Sequence, residues 1–237
     1  MVIEQIWHRV VGSQPAPSHQ MALGIAAAAL LLALPRPGWA VSRHLITIAH
    51  EGAHGVAALL VGRRLSGIRL HSDTSGLTVS RGKPRGPGMV LTFLVGYPGP
   101  ALFGLAAAAL LASGHAVAVL WVSLLLLALL LLQIRNFFGL WSVLVTALAV
   151  FGVSWWATPQ WQSAFAYLIA GFLLVAAPRP VLELQVRRRQ RRGGSSDADQ
   201  LARLTGLPGI VWVAVFLLIN LGYLALGGYW LSGPYRV

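Results

Sequence analysis

Long apolar runs separated by short polar stretches set the character of this chain. They fall at 21–35, 41–62, 89–112, 115–134, 139–157, 161–178 and 208–232. Each holds or approaches the roughly 20 mostly apolar residues that a membrane-spanning helix needs, the first being the shortest. None alternates with period two, which argues against a membrane β-barrel. Backbone surrounded by lipid must satisfy its own hydrogen bonds, so the runs are read as helices. The expected fold is an all-α polytopic membrane protein with about seven transmembrane helices. The run at 21–35 could instead be the core of a signal peptide, with Gly38-Trp39-Ala40 as a poor cleavage site. Against that, the next run follows at once, and twenty residues are long for a leader's basic segment.

Two stretches are not spans. Within 63–88, the short pieces Ser66-Gly67-Ile68-Arg69-Leu70 and Leu77-Thr78-Val79-Ser80 flank Asp73-Thr74-Ser75-Gly76, a turn composition. This predicts a β-hairpin at the cytoplasmic membrane surface. Within 187–207, Gly193-Gly194-Ser195-Ser196 reads as a linker, and Ser196-Asp197 as the start of a short amphipathic helix. The chain therefore divides into an N-terminal cytoplasmic segment (1–20), a membrane core (21–182), a basic cytoplasmic loop (183–207) and a C-terminal span with its tail (208–237).

Composition supports the membrane reading. Hydrophobic residues make up 57% and charged residues 10%, with mean hydropathy +0.71. A soluble domain carries about 25% charged residues. Cysteine is absent, which excludes disulfides, thiolate metal sites and cysteine catalysis. The net charge of +12 would suit a polyanionic partner, but no nucleic-acid-binding motif accompanies it. Seven crossings from a cytoplasmic N-terminus put Arg9, Arg63, Arg64, Arg69, Arg81, Lys83, Arg85, Arg135, Arg179, Arg187, Arg188, Arg189, Arg191, Arg192 and Arg203 inside. Only Arg36, Arg43 and Arg236 fall outside, so the charge is read as topogenic.

Chemistry concentrates in the second run. His50-Glu51-Gly52-Ala53-His54 is H-E-x-x-H. Residues i and i+4 share a helix face, so two imidazoles can hold one Zn²⁺ while the adjacent Glu51 serves as general base. With seven His and three Glu in the chain, roughly 0.003 chance matches are expected, so coincidence explains little. His50 lies about 14 Å along its run, near the bilayer midplane. Ionisable groups there are costly and mark functional sites. Hydrolysis of a peptide bond in a membrane-embedded or membrane-surface segment is the implied reaction.

The stretch His50-Glu51-Gly52-Ala53-His54-Gly55-Val56-Ala57-Ala58, with Gly62 and Ile68-Arg69-Leu70, resembles the site-2 protease family of intramembrane zinc metallopeptidases. Gly76 is similar to that family's hairpin glycine, and Tyr97-Pro98-Gly99-Pro100-Ala101-Leu102 to its Gly-Pro signature. The tail Ser196-Asp197-Ala198-Asp199-Gln200-Leu201-Ala202, with Leu204-Thr205 and Pro208, resembles a pattern of the bacterial site-2-protease-like branch. The resemblance implies a multi-pass protein of a bacterial cytoplasmic membrane that cleaves membrane-anchored substrates. It also departs from the family, whose third ligand is usually an Asp in an Asn-Pro-x-x-Asp-Gly or Leu-Asp-Gly setting. Neither motif occurs here.

Six acidic residues leave a short list for that ligand. Glu4 is N-terminal, Glu183 sits among basic residues, and Asp73 suits a turn. Asp197 and Asp199 suit a helix start. Asp197 is the chosen third ligand, because it anchors the branch pattern; Asn136 and His44 are further polar candidates. The expected function is an intramembrane zinc metalloprotease with Glu51 as catalytic base. A non-proteolytic membrane scaffold that keeps the fold is the alternative. A transporter is disfavoured, because no paired repeats or interrupted half-helices are evident.

Overall fold

Proline breaks a long apolar stretch near its start. The helices α2 (His19–Ala33) and α3 (Arg36–Leu60) meet at Pro35 with a bend of 90°. A break inside a bilayer leaves backbone carbonyls that need donors. Ser42 Oγ supplies one to Leu32 O (2.7 Å), and the Arg179 guanidinium reaches Ala33 O and Leu34 O (2.5 and 2.7 Å). The computed structural model describes residues 2–190 and 196–233. Most of the predicted linker at 193–196, and Arg236, lie outside the described residues.

After α3 the chain forms β1 (Arg64–Leu70) and β2 (Gly76–Arg81), an antiparallel pair in which Leu70 faces Gly76 and Ile68 faces Thr78. The turn at 71–75 carries Thr74 in the left-handed region (φ 68°). Asp73 Oδ1 accepts from the Ser75 hydroxyl and amide (2.7 and 2.9 Å), which holds its carboxyl below the ordinary range. Asp73 is thus a turn residue. The hairpin folds back along α3, with Ile68 and Leu65 beside Gly55 and the tip bonded through Thr47 Oγ1 to Thr74 O (3.1 Å).

A second bent pair follows: α4 (Pro87–Leu94) and α5 (Gly99–Ala112) join at 74° across Gly96 and Pro98. Then come α6 (Ala116–Gln133), α7 (Phe137–Trp156) and α8 (Pro159–Ala176), the last continuing into α9 (Pro178–Arg189). After the short α10 (Asp197–Thr205), α11 (Gly209–Ser232) ends the described helices; α1 (Val2–Val11) precedes them all. Four helical segments (α6, α7, α8 with α9, and α11) are long and apolar enough to span a membrane, and up to six if each bent pair counts as one. Among the described residues the expected count of seven is not confirmed, since 21–35 and 41–62 fall in one bent pair.

The bend also changes which loops lie together. Arg43 approaches Glu183 (3.8 Å), so residues expected outside share a side with α9. Arg9 donates to Gln162 Oε1 (3.2 Å) at the start of α8, and Ser163 Oγ donates to Pro15 O (3.0 Å). Arg179 follows the other end of that helix. Arg9 and Pro15 thus lie at the start of α8, and Arg179 and Glu183 beyond its other end, whereas the loop charges predict one side for both segments.

Candidate metal centre

The site is built from one face of α3 and the first residue of α10. The i, i+4 spacing brings His50 Nε2 and His54 Nε2 to 3.1 Å. Asp197 Oδ2 completes the triangle at 3.3 Å from His50 Nε2 and 3.2 Å from His54 Nε2. All three ligand atoms lie within 4.8 Å of one another, the one such His/Asp/Glu group found among the described residues.

The donor set fits a metal ion. His54 Nδ1 donates to Thr92 O (2.7 Å), which turns the Nε2 lone pair toward the triangle. Asp197 Oδ2 is buried and has no hydrogen-bond donor. A carboxylate lone pair left so in a protein interior is costly without a cation. A tetrahedral site with bonds near 2.0 Å has donor–donor edges of about 3.3 Å, close to the observed triangle. Two imidazoles and one carboxylate form the three-ligand set of catalytic zinc sites.

Glu51 is adjacent and 4% exposed. Thr78 Oγ1 of β2 donates to Glu51 Oε2 (2.6 Å) and to Glu51 O (3.2 Å). A cavity of about 620 Å³ joins His50, Glu51, His54 and Asp197 to β2 on one side and to Arg43 and Arg187 on the other. Tyr97 packs edge-on against His50 with ring centroids 4.9 Å apart, and stacks on Phe216 of α11.

The other sequence candidates lie elsewhere. Asp199 closes a capping box with Ser196, accepting from its hydroxyl (2.6 Å), and pairs with Arg188. Glu183 accepts from Trp39 Nε1 (2.8 Å) and pairs with Arg179 and Arg187 (3.2 and 3.5 Å). His44 packs on Phe138. The Asn136 amide bonds to the backbone of Leu70 and is not part of the triangle.

Two glycines shape the site in ways their sequence positions did not disclose. A Cβ on Gly96 would lie 2.5 Å from Asp197 Oδ2 and from His54 Cε1 and Nε2. At the bend between α4 and α5, Gly96 thus makes room for Asp197 and His54. Gly76 begins β2 rather than occupying the turn, and a Cβ there would lie 2.5 Å from Glu51 Cγ. Gly96→Ala is therefore expected to leave the helical content intact and to cut bound zinc more than tenfold, read by metal analysis and circular dichroism. The magnitude reflects a displaced ligand, which costs at least the ~10–100-fold of a lost ligand partner.

A model of the Peptidase M50B-like family matches residues 23–227. The chain belongs to the site-2 protease family of intramembrane metallopeptidases. Neither a curated protein nor a solved structure matches it. The family match spans both halves of the triangle, the His pair of α3 and Asp197 of α10, and agrees with the membrane-spanning helices. Metallopeptidases of this family are generally zinc-dependent.

Proposed function

We propose that this site-2 protease relative is an intramembrane zinc endopeptidase that cleaves membrane-embedded or membrane-anchored proteins. The observation that carries the reading is the buried convergence of His50, His54 and Asp197 beside Glu51. The two imidazoles and the carboxylate would hold the zinc ion. When bound, zinc supplies Lewis acidity to the scissile carbonyl and to the attacking water. Glu51 takes the proton of that water and returns it to the leaving amine. Thr78 orients the Glu51 carboxylate through Oε2, leaving the other oxygen for proton transfer.

The basic end of the bundle, with the hairpin, Arg135 and α9, faces the cytoplasm of a bacterial cell under the positive-inside rule. The segment 1–20 then lies on the opposite side. Purification in detergent tests the metal claim. Wild type is expected to carry close to one zinc per chain, and His50→Ala/His54→Ala essentially none. Equal, negligible zinc in both would sink the reading.

A further inference from the structure

We propose that Asn136 is a positioning residue for Glu51, acting across both strands of the hairpin; the proposal rests on Glu51 being the base. A two-stranded hairpin is marginal by itself. Here a third strand-like piece completes it. Ile134 bridges Ile68 in parallel, and Arg135 N donates to Ile68 O (2.9 Å). Asn136 extends that edge with its side chain: Oδ1 accepts from Leu70 N (3.1 Å), and Nδ2 donates to Leu70 O (2.6 Å). The amide thus stands in for one more residue of strand.

These contacts fall on two rungs of the ladder that end at Glu51. Along one, Ile134 meets Ile68, which pairs with Thr78, whose hydroxyl bonds the Glu51 carboxylate. Along the other, Asn136 holds Leu70, which pairs with Gly76, the residue pressed against Glu51. The junction of α6 and α7 is in this way tied to the base through two rungs of backbone pairing.

Two independent features show that the arrangement is built. Asn136 is the N-cap residue of α7, a position where Asn normally caps, yet its side chain makes no cap bond. The helix start forgoes that stabilisation so that both ends of the amide can face Leu70. Gly139, one turn on, leaves the room, since a Cβ there would lie 2.7 Å from Asn136 Oδ1.

The test uses the full chain in detergent micelles, Asn136→Ala, Thr78→Val and the double variant. Three readouts are taken: zinc content, hydrogen exchange of the hairpin amides, and turnover of an internally quenched peptide with one Leu/Ala-rich transmembrane segment. Asn136→Ala is expected to keep its zinc and to exchange faster at Leu70 and along 76–78. Its kcat is expected to fall about tenfold with KM unchanged, the rate equivalent of about one hydrogen bond. Thr78→Val should lose a similar factor, and the double variant should be no slower than the slower single variant, because both act through one carboxylate. Wild-type exchange or wild-type kcat in Asn136→Ala, multiplied losses in the double variant, or loss of zinc would each overturn the proposal. Exchange is read without turnover. Asn136-dependent protection in a wild type that hydrolyses nothing therefore refutes the peptidase reading and with it the catalytic role of the clamp. Turnover in a wild type whose Asn136→Ala variant keeps normal exchange refutes the clamp alone.

Discussion

Asp197→Ala is expected to purify folded but without zinc, whereas Asp199→Ala, two residues away, keeps the metal. The two carboxylates begin the same helix and do different work. Asp199 faces Ser196 and Arg188, so its loss costs a capping contact of about 1 kcal/mol and frays the start of α10. Asp197 faces His50 and His54 at 3.2–3.3 Å, and its Oδ2 has no donor of its own. Its removal leaves two imidazoles, so affinity should fall by more than the ~10–100-fold that loss of a ligand's partner costs. Metal analysis after dialysis against a weak chelator separates the variants. Retained zinc in Asp197→Ala would remove Asp197 from the ligand set.

Glu51→Gln should have the largest effect on turnover with the least effect on structure. The amide is nearly isosteric, and its carbonyl oxygen can still accept from Thr78 Oγ1. What it lacks is basicity. General base catalysis contributes about 10²–10⁴-fold, and a loss in that range is expected with zinc content unchanged. Loss of zinc as well would mean that Glu51 supports the metal and is not only the base.

Part of this arrangement is written locally and part is not. The His pair and Glu51 were legible because helical spacing alone fixes their common face. The strands of the hairpin were legible from their alternation and the turn at Asp73-Thr74-Ser75. Asp197 is separated from His50 by most of the chain, and spacing could not join them; only the family pattern pointed there. The 90° bend at Pro35, held by Ser42 and by Arg179 from a distant helix, was not legible from local hydropathy. Charge counting could not disclose that Arg43 lies beside Glu183 while Arg9 reaches the start of α8, because both contacts join distant parts of the chain. Gly96 and Gly76 carried no local signal of their roles, because the atoms they make room for belong to other elements.

The scarcity of acids has a structural counterpart. Asp197 completes the triangle with His50 and His54, Glu51 stands beside it, Glu183 is enclosed by Arg43, Arg179 and Arg187, and Asp73 and Asp199 organise a turn and a helix start. An apolar chain with six acidic residues thus sets five of them at definite places.

The central claim is that zinc held by His50, His54 and Asp197 serves peptide hydrolysis with Glu51 as base. Mass spectrometry of newly formed protein termini in membrane fractions tests it most directly, comparing cells that express wild type with cells that express Glu51→Gln at equal levels. Cleavage sites within or beside membrane-spanning segments should appear with wild type and be absent with the variant, while both purify with zinc. Identical sets of termini from two zinc-loaded proteins would contradict the account and favour a membrane scaffold that keeps the fold and its metal.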